Sequence, residues 1–214
     1  MICVSLRETS PEAVLAALSG LKFAEVRLDG FLSTPDDAAR IFSSHPNLVA
    51  TMRPGARPEP ERVEVLSAAI AAGAAYVDLE LDSPSASQAV LREAAARNGC
   101  RVIVSHHDHL GTPPRPDLEA IREACFASGA DLSKIACRIA APRDCARLLG
   151  LLDFPRPVVA VGMGPLGRIT RVAAVLLGAP FTFASRAEGL ETAEGQLPLE
   201  ELARLIGEIS REQL

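Results

Sequence analysis

The chain has no tryptophan, one tyrosine and only 4% aromatic residues. So few flat side chains cannot make the base-stacking platform of a single-strand nucleic-acid binder. Positive charge is not in surplus either. The formal net charge is -5, which removes the electrostatic case for nucleic acid or an anionic membrane as partner. Cysteine is sparse: Cys3, Cys100, Cys125, Cys137 and Cys145 are odd in number, widely spaced and form no CxxC pair. That argues against a disulfide framework or a zinc knuckle and points to a reducing, cytoplasmic compartment. Most of the five are expected to be small buried apolar groups. No apolar run reaches membrane-spanning length. The first residues, Met1 to Arg7, lack the basic and long apolar regions of a secretory signal. What is present is the composition of a globular chain, 48% hydrophobic and 23% charged over 214 residues. This is enough for one substantial domain, residues 1–214.

Read in order, short apolar runs alternate with helical stretches. The strand-like runs are Ile2–Leu6, Phe23–Leu28, Leu48–Met52, Ala75–Leu81, Arg101–His106, Leu132–Ile139, Pro157–Val161 and Pro180–Ala184. Helices are expected between them, several opened by a proline in the first turn (Pro11, Pro35, Pro84, Pro142) and several closed by glycine (Gly20, Gly73, Gly99, Gly129). A final helix is expected over Leu199–Ile209. Eight β-then-α units with short, doubly apolar strands predict a single-domain (β/α)8 TIM barrel, compact and without an N-terminal hairpin. An open doubly wound sheet would want a glycine-rich turn after the first strand, and Arg7-Glu-Thr-Ser stands there instead.

In that fold the active site lies at the C-terminal ends of the strands. Lys134 falls inside the sixth strand, between Leu132 and Ile135 and Ala136. It is either a snorkelling surface charge or an amine placed in an apolar pocket for covalent chemistry. The i, i+2, i+4 spacing of Glu25, Arg27 and Asp29 predicts that all three share one strand face. Arg53 ends the third strand in Thr51-Met-Arg53. The two arginines suggest an anionic or polyhydroxylated ligand. Three of four histidines crowd into Ser105-His106-His107-Asp108-His109. Neighbours on a strand face opposite ways, so a metal site is not expected. A general acid/base is the better use for one of them, with His106 and His109 read as loop histidines. Gly162-Met163-Gly164-Pro165-Leu166-Gly167 before a helix is either an anion cradle or a turn that needs glycine for its backbone.

Taken together, the segments Glu25-Val-Arg27-Leu-Asp29, Thr51-Met-Arg53, Ser105-His-His107-Asp108, Lys134-Ile-Ala136, Gly162 to Arg171 and Gly195-Gln196 resemble, in order, those of the type I 3-dehydroquinate dehydratase family. The resemblance spans nearly the whole chain. It implies a (β/α)8 barrel, a cytoplasmic homodimer, no cofactor and no metal. The implied reaction is loss of water from 3-dehydroquinate to give 3-dehydroshikimate, the third step of the shikimate pathway. It further implies Lys134 as the Schiff-base lysine and His107 as the general acid/base. Substrate binding would fall to Ser5, Glu25, Arg27, Arg53, Met163, Arg171, Thr192 and Gln196. Thr192 stands where the family usually has serine, Glu194-Gly195-Gln196 where it commonly has Pro-Gly-Gln, and Arg57, Pro58 and Pro60 fill the loop after Arg53. Two other readings share parts of the pattern: another Schiff-base barrel acting as an aldolase, and a non-catalytic barrel that binds a metabolite.

Overall fold

The structure, a computed structural model, describes residues 1–211. Eight strands alternate with eight helices: β1 (Ile2–Leu6), α1 (Pro11–Ala17), β2 (Ala24–Arg27), α2 (Pro35–Ser43), β3 (Leu48–Thr51), α3 (Glu59–Ala71), β4 (Tyr76–Glu80) and α4 (Ser85–Asn98) come first. They are followed by β5 (Arg101–Asp108), α5 (Arg115–Ala127), β6 (Leu132–Arg138), α6 (Pro142–Leu149), β7 (Val158–Met163), α7 (Arg168–Leu176), β8 (Thr182–Ser185) and α8 (Leu199–Arg211). The strands form one sheet in the order β7-β6-β5-β4-β3-β2-β1-β8. Chain order around the sheet, with β8 beside β1, is the order of a (β/α)8 barrel. The fold predicted from the alternation of runs is the fold observed.

Local chemistry explains where the helices begin and end. At α2 the Thr34 hydroxyl accepts from the Asp37 N–H (3.1 Å), and the Asp37 carboxylate accepts from the Thr34 N–H (3.0 Å). Two otherwise unpaired N–H groups are thereby satisfied, and Pro35 sits in the first turn where its missing N–H costs nothing. Ser10 caps α1 in the same way, accepting from Ala13 at 3.2 Å. At its other end α4 stops on Gly99, at φ 66°, where a side chain would be strained.

Close contacts divide the chain into two compact units. One is Leu6–Val104 with Gly129–Asp131; it carries β2, β3 and β4 and helices α1 to α4. Here Ala24, Val26, Leu48, Val49, Ala50, Val77 and Leu79 are buried along the strands, and Ile41, Phe42, Leu66, Ile70 and Leu91 on the helices. Strands apolar on both faces are what a parallel sheet demands. The register sets Arg27 beside Thr51 and Thr51 beside Asp78, one row of polar groups across three strands. The other unit is Met1–Ser5, Ser105–Ser128 and Leu132–Leu214, described as far as residue 211. It carries the paired strands β6 and β7, with Lys134 beside Val159 and Arg138 beside Met163. It also carries β1 paired with β8, Ser5 beside Ser185. Val172, Ala184, Leu197 and Leu202 close a small core under α8.

Candidate active site

Lys134 lies mid-strand in β6, and only 5% of it is exposed. A snorkelling lysine keeps its head in water; this one does not. Its Nζ sits 4.5 Å from the centroid of the Phe183 ring on β8, close enough for cation–π attraction when charged. One neighbour of the amine is therefore an aromatic face. Sequence reading did not name Phe183, because its pairing with Lys134 spans about fifty residues and leaves no local pattern.

His107 is the penultimate residue of β5 and half-buried. The strand runs two residues past the expected end at His106, so His107 is held in the ladder instead of in a loop. Its ring lies parallel to that of His109, at an interplanar angle of 17° and a centroid distance of 6.3 Å. Asp108 turns its carboxylate onto the loop backbone, accepting from the N–H groups of Leu110 (2.8 Å) and Gly111 (3.0 Å). Thr112, further along, donates to the carbonyl of Arg138 at 2.8 Å.

Arg171 lies one turn into α7 and is 1% exposed. Its Nη1 donates to the Phe183 carbonyl at 3.2 Å, while its Nε and Nη2 have no hydrogen-bond partner among the described residues. Burial, helped by repulsion from Arg168, pushes the guanidinium down to about 10. A buried cation with open donors is costly unless an anion meets it. The glycine turn before α7 has a backbone reason. A Cβ on Gly167 would stand 2.4 Å from the carbonyl carbon of Gly162, and the Gly162 N–H donates to the Thr170 hydroxyl at 2.7 Å. Met163 is buried at the end of β7, level with Arg138 in the register.

The loop between β8 and α8 brings Thr192 and Gln196 together. The Thr192 hydroxyl donates to Ser5 Oγ at 2.8 Å, the Thr192 N–H donates to Gln196 Oε1 at 2.7 Å, and Gln196 Nε2 donates back to Thr192 Oγ1 at 3.2 Å. Arg168 and residues 191–196 line a cleft of about 450 Å³. Ser5, Thr192 and Gln196, three residues named from sequence, are thus one hydrogen-bonded group. In the same loop Glu194 pairs with Arg138 at 2.6 Å, a contact sequence reading did not anticipate.

Glu25, Arg27 and Arg53 belong to the other unit. Glu25 is buried and accepts from the Thr51 hydroxyl at 3.0 Å. Arg27 and Asp29 form a two-pronged pair, 2.9 Å and 2.6 Å. Here the predicted strand face needs correcting. β2 ends at Arg27, and Asp29 sits in a 3-10 turn over Leu28–Gly30, folded back onto the arginine. Arg53 donates to Asp78 at 3.3 Å and to Glu80 at 2.5 Å. Burial alone would lower its pKa, but the two carboxylates outweigh it and the net shift is upward. Behind Arg53, the fully buried Arg62 holds Glu59 through two bonds and donates to the Met52 carbonyl at 3.2 Å. Its i, i+3 spacing from Glu59 is the one sequence signal that could have found it. No group of three or more His, Cys, Asp or Glu side chains among the described residues could hold a metal ion.

Comparison with known proteins gives these residues a context. A 3-dehydroquinate dehydratase of Desulfotalea psychrophila is 34% identical over 215 residues, covering 94% of each chain. One from Thermococcus gammatolerans is 38% identical over 188 residues, covering 85% of each. Among solved structures, a type I 3-dehydroquinate dehydratase from Clostridium difficile superposes with a TM-score of 0.86 at 20% identity, covering 99% of this chain and 92% of that one. The 3-dehydroquinate dehydratase of Aquifex aeolicus superposes at 0.81 with 26% identity, covering 99% of both. The sequence model described as type I 3-dehydroquinase matches residues 2–212, and the chain belongs to that family.

Proposed function

We propose that this chain removes water from 3-dehydroquinate by forming a Schiff base at Lys134, with His107 as the general acid and base. The observation that carries the reading is the lysine buried mid-strand, its amine against the Phe183 ring. A lysine amine held in such a place is a nucleophile for a ketone.

The Lys134 amine condenses with the substrate ketone, forming a C=N bond and releasing one water. The resulting iminium withdraws electrons from the adjacent carbon, and His107 takes the proton there to leave an enamine. The enamine pair then expels the β-hydroxyl. His107 returns its proton as the C–O bond breaks, so the group leaves as water. Hydrolysis of the iminium consumes one water, frees the amine and gives 3-dehydroshikimate. Net, one water is lost per turnover, and no electron acceptor is required.

The buried, under-satisfied guanidinium of Arg171 suits the substrate carboxylate, since a charge-assisted pair offsets a desolvation cost already present. Thr192, Gln196 and Ser5 are proposed to close over that carboxylate, and Met163 to pack near the imine. Glu25, Arg27 and Arg53 are proposed to hold the substrate hydroxyls. A cytoplasmic homodimer working without a cofactor completes the reading.

The test is direct. Enzyme mixed with 3-dehydroquinate should raise the absorbance of the conjugated enone, and borohydride added during turnover should leave a mass adduct on Lys134. Lys134→Ala should lose both. His107→Ala should still trap the adduct but turn over about 10²- to 10⁴-fold more slowly. An active Lys134→Ala variant, or wild type that yields enone with no trappable adduct, sinks the mechanism.

A further inference from the structure

Glu194 is fastened twice, and the residue after it packs tightly. The Glu194 carbonyl accepts from the Gly164 N–H at 3.1 Å, and the Glu194 carboxylate accepts from Arg138 Nη1 at 2.6 Å. The next residue, Gly195 (φ +82°), lies so close to Gly164 that a Cβ would stand 2.4 Å from its carbonyl oxygen. Arg138 is the last residue of β6, four beyond Lys134. Its own carbonyl accepts from Thr112 in the loop that follows His107. One arginine therefore ties the end of the lysine strand to two loops: the one after His107 and the one carrying Thr192 and Gln196.

The charge at Glu194 gives the tie a second role. Glu194 lines the same cleft as Arg168, Thr192 and Gln196. A bare carboxylate there repels an anionic ligand. Paired with Arg138, it is neutralised while it fastens the loop. Both side chains are about half exposed, 47% for Arg138 and 54% for Glu194. An exposed pair of this kind changes an equilibrium about two- to five-fold. That is too weak to lock a loop and strong enough to set the fraction of time it is closed.

We propose that Arg138 is a positioning residue for this site: through Glu194 it latches residues 186–198, and it cancels a carboxylate that would otherwise oppose an anionic substrate. The inference deepens the reading of the site as one for 3-dehydroquinate and rests on it for the identity of the anion. The two roles predict an asymmetry. Glu194→Ala loses the latch alone, and KM should rise about two- to five-fold. Arg138→Ala loses the latch and bares the carboxylate, so KM should rise further, about ten-fold. In both, kcat should stay within about two-fold, because neither residue touches the reacting atoms. The double alanine variant should match Glu194→Ala, and Arg138→Glu combined with Glu194→Arg should recover most of the loss. All differences should shrink between about 0.02 M and about 0.5 M salt.

Amide hydrogen exchange of residues 186–198, read without substrate, separates this proposal from the assignment of the substrate. Faster exchange in Arg138→Ala than in wild type supports the latch whatever the ligand proves to be. Unchanged exchange overturns the latch, and a KM in Arg138→Ala no higher than in Glu194→Ala overturns the charge role. Wild type that fails to dehydrate 3-dehydroquinate while the exchange difference persists removes the substrate assignment and leaves the latch standing.

Discussion

Arg53 and Arg171 are both arginines taken largely out of water, and they are treated in opposite ways. Arg53 meets two carboxylates, Asp78 and Glu80, and holds its proton more firmly than a free arginine. Arg171 meets one backbone carbonyl and the repulsion of Arg168, and burial brings it down to about 10. The first charge is balanced inside the protein, so it is a fixed fitting that can present a fork in one geometry. The second is unbalanced. Keeping it charged costs the substrate-free protein on the order of 3 kcal/mol, and an incoming carboxylate gets that energy back. The difference separates an arginine that shapes a site from one whose stability depends on what binds.

The strongest way to break this comparison is Arg171→Met, which replaces the unbalanced cation by an apolar side chain of similar length. Activity should collapse, with kcat/KM down about 10²- to 10³-fold if the carboxylate loses its charge-assisted partner. The substrate-free protein should nonetheless become more stable, by about 1–3 kcal/mol, or several degrees in Tm. The sign with pH follows. A cation whose folded pKa lies below its unfolded one is a burden while both forms are charged. The burden lifts as pH rises above about 10, so wild type and variant should draw together there. A variant less stable than wild type at neutral pH would show that Arg171 is a structural group after all.

Asp78→Ala tests the balanced side. Asp78 is buried, and its loss leaves Arg53 with Glu80 alone of the two carboxylates. Stability should fall by about 3 kcal/mol, or roughly 6–12 °C in Tm by thermal melting. The two substitutions remove charges of opposite sign from similar burial, yet their stability effects should point in opposite directions. Shifts of the same sign would mean that burial, and not balance, decides.

What the sequence revealed follows the range over which each interaction acts. Lys134 was legible because a charge inside an apolar strand is a local anomaly, and the start of α2 because a proline, Pro35, stands at its first position. Asp29 was misplaced for a local reason too. Period two runs through Glu25, Arg27 and Asp29, but the chain turns at Leu28, whose carbonyl takes a bond from Ser33 at 2.9 Å. Helix α3 begins at Glu59, with Pro58 just before it and Pro60 in its first turn. A first-turn proline gives up an N–H that had no helical partner anyway. Phe183 against Lys134, and Arg138 against Glu194, were out of reach because such partners are chosen by the sheet and not by spacing along the chain.

The smallest expected effect sharpens the rule within the unit that holds Arg171. Asp144, in the first turn of α6, accepts from the N–H groups of Ala140 (3.0 Å) and Ala141 (2.9 Å) and pairs with Arg147. Burial would raise its pKa, but those two N–H groups and the arginine outweigh it, and the carboxyl is held below its usual range. It is a balanced charge like Arg53, with the opposite sign. Its contribution should be present above the unfolded value near 4 and disappear as pH falls through the lower folded value. Asp144→Asn keeps an acceptor for the backbone but gives up the charge, so at neutral pH it should cost about 0.5–1 kcal/mol. Urea melts of the two proteins at neutral pH and at about pH 2–3 should show that gap closing in acid. A gap of constant size would mean that the hydrogen-bond geometry alone matters at α6. Balance of charge would then account for the buried arginines and not for the carboxylates.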